Sequence, residues 1–296
     1  MRISPSWSTN ENKESNELAA LITAREPAEK ARGLSAGWRE ANAIFAIAYR
    51  DFLKLLRDPA RIVSSFVFPM IFIGILGNTL QANLGNAAGY NILVFTFTGV
   101  LAQTVYQSTA LGVISLIEDR ENDFSQEIFV SPISRYSIIF GKILGETLVA
   151  LPQGMAILIF AFVIGVPLGW AQVGGMLAVG FVTALYGGAF GVMLLSLSSS
   201  RRAADQIFPF LLLPQFFTAG IFAPIKVLPF YLEILSRLSP LRYAVDLTRG
   251  IFYLGQPEYE SVVLTTPLAN IVILGATFAL FMVIGTFLFV RSERNR

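Results

Sequence analysis

Glu118-Asp-Arg-Glu-Asn-Asp-Phe-Ser-Gln-Glu-Ile-Phe-Val-Ser-Pro-Ile-Ser-Arg135 stands between two long stretches that carry no charge at all. Ile62 to Ile117 holds no Asp, Glu, Lys or Arg in 56 residues, and Thr147 to Ser200 holds none in 54. A bilayer core about 30 Å thick needs roughly 20 apolar residues per helical crossing, so each stretch is long enough for two. Two shorter charge-free runs, 207–225 and 261–290, each fit one. Lipid offers the backbone no hydrogen-bond partner, so all these crossings must be helical. A chain that gathers its charge in one internal insert presents that insert to something in water.

The pattern predicts an all-α integral membrane protein with six spans at about 62–80, 92–117, 138–166, 173–197, 207–225 and 268–290. Its composition agrees: 54% of residues are hydrophobic and 14% charged, against about 25% charged in a soluble domain. Of 22 Lys and Arg, 18 fall on one side of this arrangement and four (Lys226, Arg237, Arg242, Arg249) on the other. The bias places both termini and the insert in the cytoplasm.

Residues 1–37 are polar and read as a disordered cytoplasmic tail without a cleavable signal peptide. In the segment 38–57, Trp38, Ala41, Phe45, Ala48, Phe52, Leu55 and Leu56 recur at helical spacing, and Asp58-Pro59 ends the run. This predicts an amphipathic helix on the membrane surface leading into the domain 58–296. Gln81 to Gly89 has the composition of a hairpin turn. Lys226 to Pro267 stays amphipathic over about 40 residues with prolines at 229 and 240. It reads as short re-entrant-type helices between the fifth and sixth spans.

Much chemistry is excluded. Cys and His are both absent, which removes disulfides, thiol nucleophiles, imidazole bases and the usual zinc sites. No phosphate-binding glycine loop exists: Gly141-Lys142 has Tyr136 where the first glycine should stand. No paired intramembrane carboxylates suggest a metal, so no catalytic or metal residue is assigned. Lys142 and Glu146, one turn apart at the inner end of the third span, read as an interfacial pair with a snorkelling lysine. Pro69, Pro152, Pro209 and Pro214 fall inside spans and are candidate kinks. Within the insert, Ile128-Phe129-Val130 followed by Ser131-Pro132 reads as a short helix showing Glu127, Ile128 and Phe129 to a partner's groove. A solvated loop shows the same kind of charge run.

Glu118-x-Arg120-Glu121, then Glu127-x-x-x-Ser131-Pro132-Ile-Ser-Arg135 and Gly141-Lys142, resembles the loop after the second span in permease subunits of type-2 ABC exporters. Gly220-Ile-Phe-x-Pro224, Leu228-Pro229 and Leu238-Ser-Pro-Leu-x-Tyr243-Ala-x-Asp246-x-x-Arg249 are similar to the outer segment of the same family. The resemblance covers about 38–296; Asn122-Asp-Phe-Ser125 departs where the family often has Gly-Thr.

The resemblance implies a permease of drug- or antibiotic-exporter type in a bacterial inner membrane. The chain would bind no cofactor, and ATP and Mg would sit on a separate ATPase subunit present in two copies. A second permease copy would complete a homodimer, with lipid and not nucleic acid as surroundings. Glu118, Arg120, Glu121, Glu127, Phe129, Ser131, Pro132 and Arg135 would couple to the ATPase. The path would run between the second and fifth spans, carrying Thr96, Gln103, Tyr106, Gln107, Gln215, Phe216, Phe217 and Thr218. Polar groups there also fit helix-to-helix bridging within one subunit. Export of a lipid-linked polysaccharide is the alternative cargo. A passive channel or scaffold without an ATPase is the alternative class.

Overall fold

A computed structural model describes residues 37–121, 133–198 and 201–294. Among them every regular element is helical. A first helix, α1, occupies 37–56. It is followed by α2 (Pro59–Ile71), a π-helical stretch (Phe72–Gly77) and α3 (Asn78–Ala88), which form one unbroken rod. Then come α4 (Ile92–Glu121), α5 (Arg135–Val163), α6 (Trp170–Leu197) and α7 (Arg201–Thr218). A short 3₁₀ turn (Ile225–Val227) leads to α8 (Phe230–Leu238), α9 (Pro240–Phe252), α10 (Tyr259–Val262) and α11 (Pro267–Arg294).

Among the described residues, five segments are long and apolar enough to cross a membrane: Ile62–Ala88, Ile92–Ile117, Arg135–Val163, Trp170–Leu197 and Tyr259–Phe289. The segment expected as a fifth span falls short of that standard. Its helix, α7, has 18 residues, opens with three charges (Arg201, Arg202, Asp205), and stops at Thr218 instead of Ile225. Gly220, at φ +75°, ends it with backbone that only glycine adopts without cost.

The expected turn at 81–89 is also shorter than its composition suggests. The helix runs on to Ala88, and Gly89, at φ +74°, closes it. Gln81 stays helical while its side chain caps the next helix: Oε1 accepts from the Ile92 amide at 2.6 Å, one of the donors a helix start leaves unpaired. Asn91 adds a second cap, accepting from the Val94 amide at 3.1 Å.

The core forms around α4, which packs on α5 and α6. Gly187 and Gly191 of α6 let its backbone meet the carbonyls of Tyr106 and Ala110, where any Cβ would overlap them. Small residues at such crossings are how helices pack closely without a hydrophobic driving force in lipid. Tyr106, Tyr186, Phe190 and Phe281 form an aromatic cluster with centroid separations of 5.5–5.9 Å that joins α4, α6 and α11.

Candidate functional site

At the end of the insert, Ser134 caps α5. Its hydroxyl accepts from the Ser137 amide at 3.1 Å, which supplies one of the partners a helix start lacks. The Ser134 amide in turn donates to both carboxylate oxygens of Glu40 in α1, at 3.0 and 3.1 Å. The Ser137 hydroxyl bond to Glu40, helped by those from Ser134, holds its carboxyl below the ordinary range.

Two turns further along α5, Lys142 is buried. Its ammonium donates to Asp51 of α1 at 2.8 Å and lies 2.9 Å from Glu146. Arg50 meets the other oxygen of Asp51 at 2.9 Å. The result is an alternating chain of charges, Arg50–Asp51–Lys142–Glu146, in which buried ions balance one another. Glu146 fits because α4 has Gly112 opposite; a Cβ there would overlap its carboxylate. Gly141 and Gly145 flank the lysine and let α1 approach to backbone contact. A Cβ on Gly145 would lie 3.0 Å from Ala48 Cα. The reading of Lys142 as a snorkelling residue is therefore corrected: at 2% exposure it reaches no interface. The reason is Asp51, which lies 91 residues away in sequence.

The apolar stripe expected along α1 divides between two surroundings. Ala48 and Leu55 are buried, Ala48 beside Asp51 against Gly145 of α5, whereas Trp38, Phe45 and Leu56 point outward, as does Tyr49. The ion pair and the two glycines fix this rotation.

A cavity of about 310 Å³ opens between α2, α4 and α5, with Ser65, Gln103, Thr104, Gln107, Ser108 and Gln153 on its wall. A second, of about 420 Å³, lies between α2, α4 and α7, walled by Phe68, Leu111, Ile114, Phe208, Leu212 and Phe216. Phe68, Gln107 and Leu111 border both. Gln103 Nε2 donates to Gln107 Oε1 at 2.8 Å.

On the far side of the molecule, α9 is buried along most of its length. Asp246 accepts from the amides of Leu264 and Thr265 and from Asn270 Nδ2, at 2.8–2.9 Å, and so holds the entry to α11. Arg249 lies 3.5 Å over the Phe95 ring and donates to the Gly220 carbonyl at 2.7 Å. It also reaches the carbonyls of Phe95 and Ile221 at 3.3 and 3.4 Å. Thus α9 ties the end of α7, the start of α4 and the start of α11 together.

The family model described as ABC-2 type transporter matches residues 42–253, most of the chain. This chain belongs to the ABC-2 type transporter family. The matched region contains α1's buried face, the insert, both cavities and α9. Among relatives of this ABC-2 chain, the transport permease ycf38 of Cyanophora paradoxa is 27% identical over 218 residues, 71% of this chain and 73% of the relative. Nodulation protein J of Neorhizobium galegae is 24% identical over 218 residues, covering 72% and 81%. The multidrug ABC transporter permease YbhR of Escherichia coli is 26% identical over 166 residues, covering 52% of this chain and 43% of its own length. Family and helices together make the protein a multi-pass membrane permease.

In this ABC-2 permease the residues singled out for the path fall into several places. Gln103 and Gln107 border the polar cavity, and Phe216 and Gln107 the apolar one. Thr96 is buried beside Gly77. Tyr106 lies within the aromatic cluster against α6. Gln215 and Thr218 are buried, bonded back to the carbonyls of Leu211 and Pro214. Phe217 is exposed.

Of the insert, Glu118, Arg120 and Glu121 extend α4 as helix, and Arg135 opens α5. Glu127, Phe129, Ser131 and Pro132 lie outside the described residues. Sequence reasoning misses Glu40, Asp51 and Gln153. An Asp in the middle of an otherwise apolar face is the signal for Asp51; nothing local marks Glu40.

Proposed function

We propose that this chain is the membrane permease of an ATP-driven exporter. It moves an amphiphilic or drug-like molecule from the cytoplasm or inner leaflet outward. Two copies of a separate ABC ATPase dock on 118–135, carrying ATP and Mg, and a second copy of the permease completes the complex. The proposed setting is the plasma membrane of a bacterium, with both termini inside. In this reading α7 and the turn after it make the fifth of six crossings, α8 and α9 dip back from the outer side, and α1 lies on the inner surface. Trp38, Phe45, Tyr49 and Leu56 then face lipid, as an amphipathic helix at an interface requires.

The observation that carries the reading is the double attachment of α1 to α5. Ser134, two residues beyond Pro132 of the insert, is held by Glu40, and Lys142 is held by Asp51 and Glu146. A load applied to the insert by a partner therefore reaches α1 and α5 together, and through Gly112 and Glu146 reaches α4. Drug-like cargo is supported by the name of the relative YbhR and by the apolar cavity wall.

Co-purification tests the proposal. The permease should bring down an ATPase subunit from its native membrane. Combined replacement of Glu121, Glu127 and Phe129 by alanine should abolish that association while leaving the permease in the membrane. Retention of the ATPase by the triple variant would sink the coupling assignment. Absence of any ATPase from the native complex would favour a channel or scaffold.

A further inference from the structure

We infer that the cargo has an uncharged, hydroxyl- or amide-bearing head and an apolar tail, held in the two adjoining cavities. This rests on the reading that the transport path runs between the second and fifth spans, α4 and α7.

The polar cavity reaches down to buried amides. Gln103 and Gln153 are each 4% exposed, and both stand well inside segments that cross the membrane. An amide with no partner at such a site costs about 1–3 kcal/mol. Three glutamine amides converge here, yet only one hydrogen bond links them, from Gln103 to Gln107. Gln153 finds no partner among the described residues. Donors and acceptors from all three are left facing the cavity.

Charge decides what complements them. Among the described residues, neither cavity wall carries an acidic or basic side chain. A cationic or anionic head would be desolvated without a counter-ion, which costs far more than amide bonds return. A neutral head able both to donate and to accept matches amides, which do both. The second cavity begins at the shared residues Phe68, Gln107 and Leu111 and is otherwise apolar apart from the Gln107 amide. Each lies within the range of about 300–1,000 Å³ usual for small-molecule sites. Polar head beside Gln103 and Gln153, tail between Phe208, Leu212 and Phe216: the walls place the two halves of one amphiphile side by side.

The test uses full-length permease in lipid nanodiscs and three diazirine-bearing alkyl probes of equal chain length. Their heads are glucoside, phosphate and trimethylammonium, and peptide mass spectrometry reads the labelled residues. The glucoside should label the cavity-facing peptides of α4 and α7 at least about tenfold more than either charged probe. Gln153→Leu should reduce that labelling about fivefold to tenfold, the worth of one neutral hydrogen bond. Gln153→Glu should raise labelling by the ammonium probe, which guards against a variant that merely fails to fold. Equal labelling by charged and neutral heads, or indifference to both Gln153 variants, overturns the inference and leaves the path intact. No cavity labelling by any probe overturns the path reading and the inference with it.

Discussion

Lys142 Nζ lies 2.8 Å from Asp51 Oδ2, and each side chain is only 2% exposed. Breaking a buried ion pair from one side leaves the other charge uncompensated and costs about 3–5 kcal/mol. Asp51→Leu and Lys142→Met should each lower stability by that order in detergent unfolding. The double variant removes both charges and should lie closer to wild type than the more damaging single. Simple addition of the two losses would show that the groups do not depend on each other.

Glu40 gives a prediction with a sign in pH. Its folded carboxyl lies below the ordinary glutamate range, chiefly through the Ser137 hydroxyl. A depressed carboxyl contributes above its unfolded value and loses that contribution as pH falls through the folded one. Protection of the Ser134 amide, corrected for intrinsic exchange, should therefore stay constant from pH 7 to 5.5. Glu40→Ala should lose it at every pH. A decline of wild-type protection between pH 7 and 5.5 would show that Glu40 does not hold this amide.

How much of this is legible in the sequence follows from the range of each interaction. Membrane helices are readable because desolvation acts residue by residue, and the charge-free runs record it directly. The end of α7 is misplaced by composition because apolarity continues to Ile225 while the backbone turns at Gly220; hydropathy carries no dihedral information. The extension of the first rod past Leu80 is hidden because Gln81 looks like a turn residue until its partner, the Ile92 amide, is known. Spacing gives Lys142 its position on α5 but the wrong surroundings, since its principal partner comes from another helix. Among the residues expected to line the path, helical spacing puts Gln103 and Gln107 on one wall, and the third amide of that cavity, Gln153, comes from a helix that spacing within α4 cannot report.

Arg249 should act as the pin of the segment between α7 and α11. A hydrogen bond to a charged donor is worth about 1.5–3 kcal/mol, and the Gly220 carbonyl receives one at 2.7 Å. Arg249→Met should raise hydrogen exchange in the turn around Gly220 by about tenfold or more. Arg249→Lys keeps the charge yet cannot both stack on Phe95 and span three carbonyls, so it should fall between. Unchanged exchange in the methionine variant would mean that packing alone holds the turn.

Gly145 tests whether close approach matters in its own right. A Cβ there would lie 3.0 Å from Ala48 Cα and 3.1 Å from Asp51 Cβ, both parts of α1 that cannot swing aside. Gly145→Ala should push α1 off α5 and weaken the Asp51–Lys142 contact, whereas Gly180→Ala, with open space around it, should be tolerated. Spin labels on the exposed positions Tyr49 of α1 and Phe140 of α5 report the separation. The distance should lengthen in Gly145→Ala and stay unchanged in Gly180→Ala; equal distances would show that the crossing tolerates a methyl group.

Whether α7 makes a sixth crossing in addition to the five long apolar helices can be decided by labelling, because the chain has no cysteine of its own. Asn86 and Val227 are both exposed; the first lies near the end of the first rod and the second beyond α7. If α7 and its turn cross the membrane, single cysteines at both positions react with an impermeant maleimide applied from outside. A cysteine at Arg202, exposed at the start of α7, reacts only after the membrane is opened. If Val227→Cys instead reacts only from the cytoplasmic side while Asn86→Cys reacts from outside, α7 does not cross and the chain has five spans. In that case the two ends of the helical domain lie on opposite faces, and the charge bias of 18 to four would have to be redistributed. The biased distribution favours the first outcome, since the four basic residues past α7 are then the ones that stay outside.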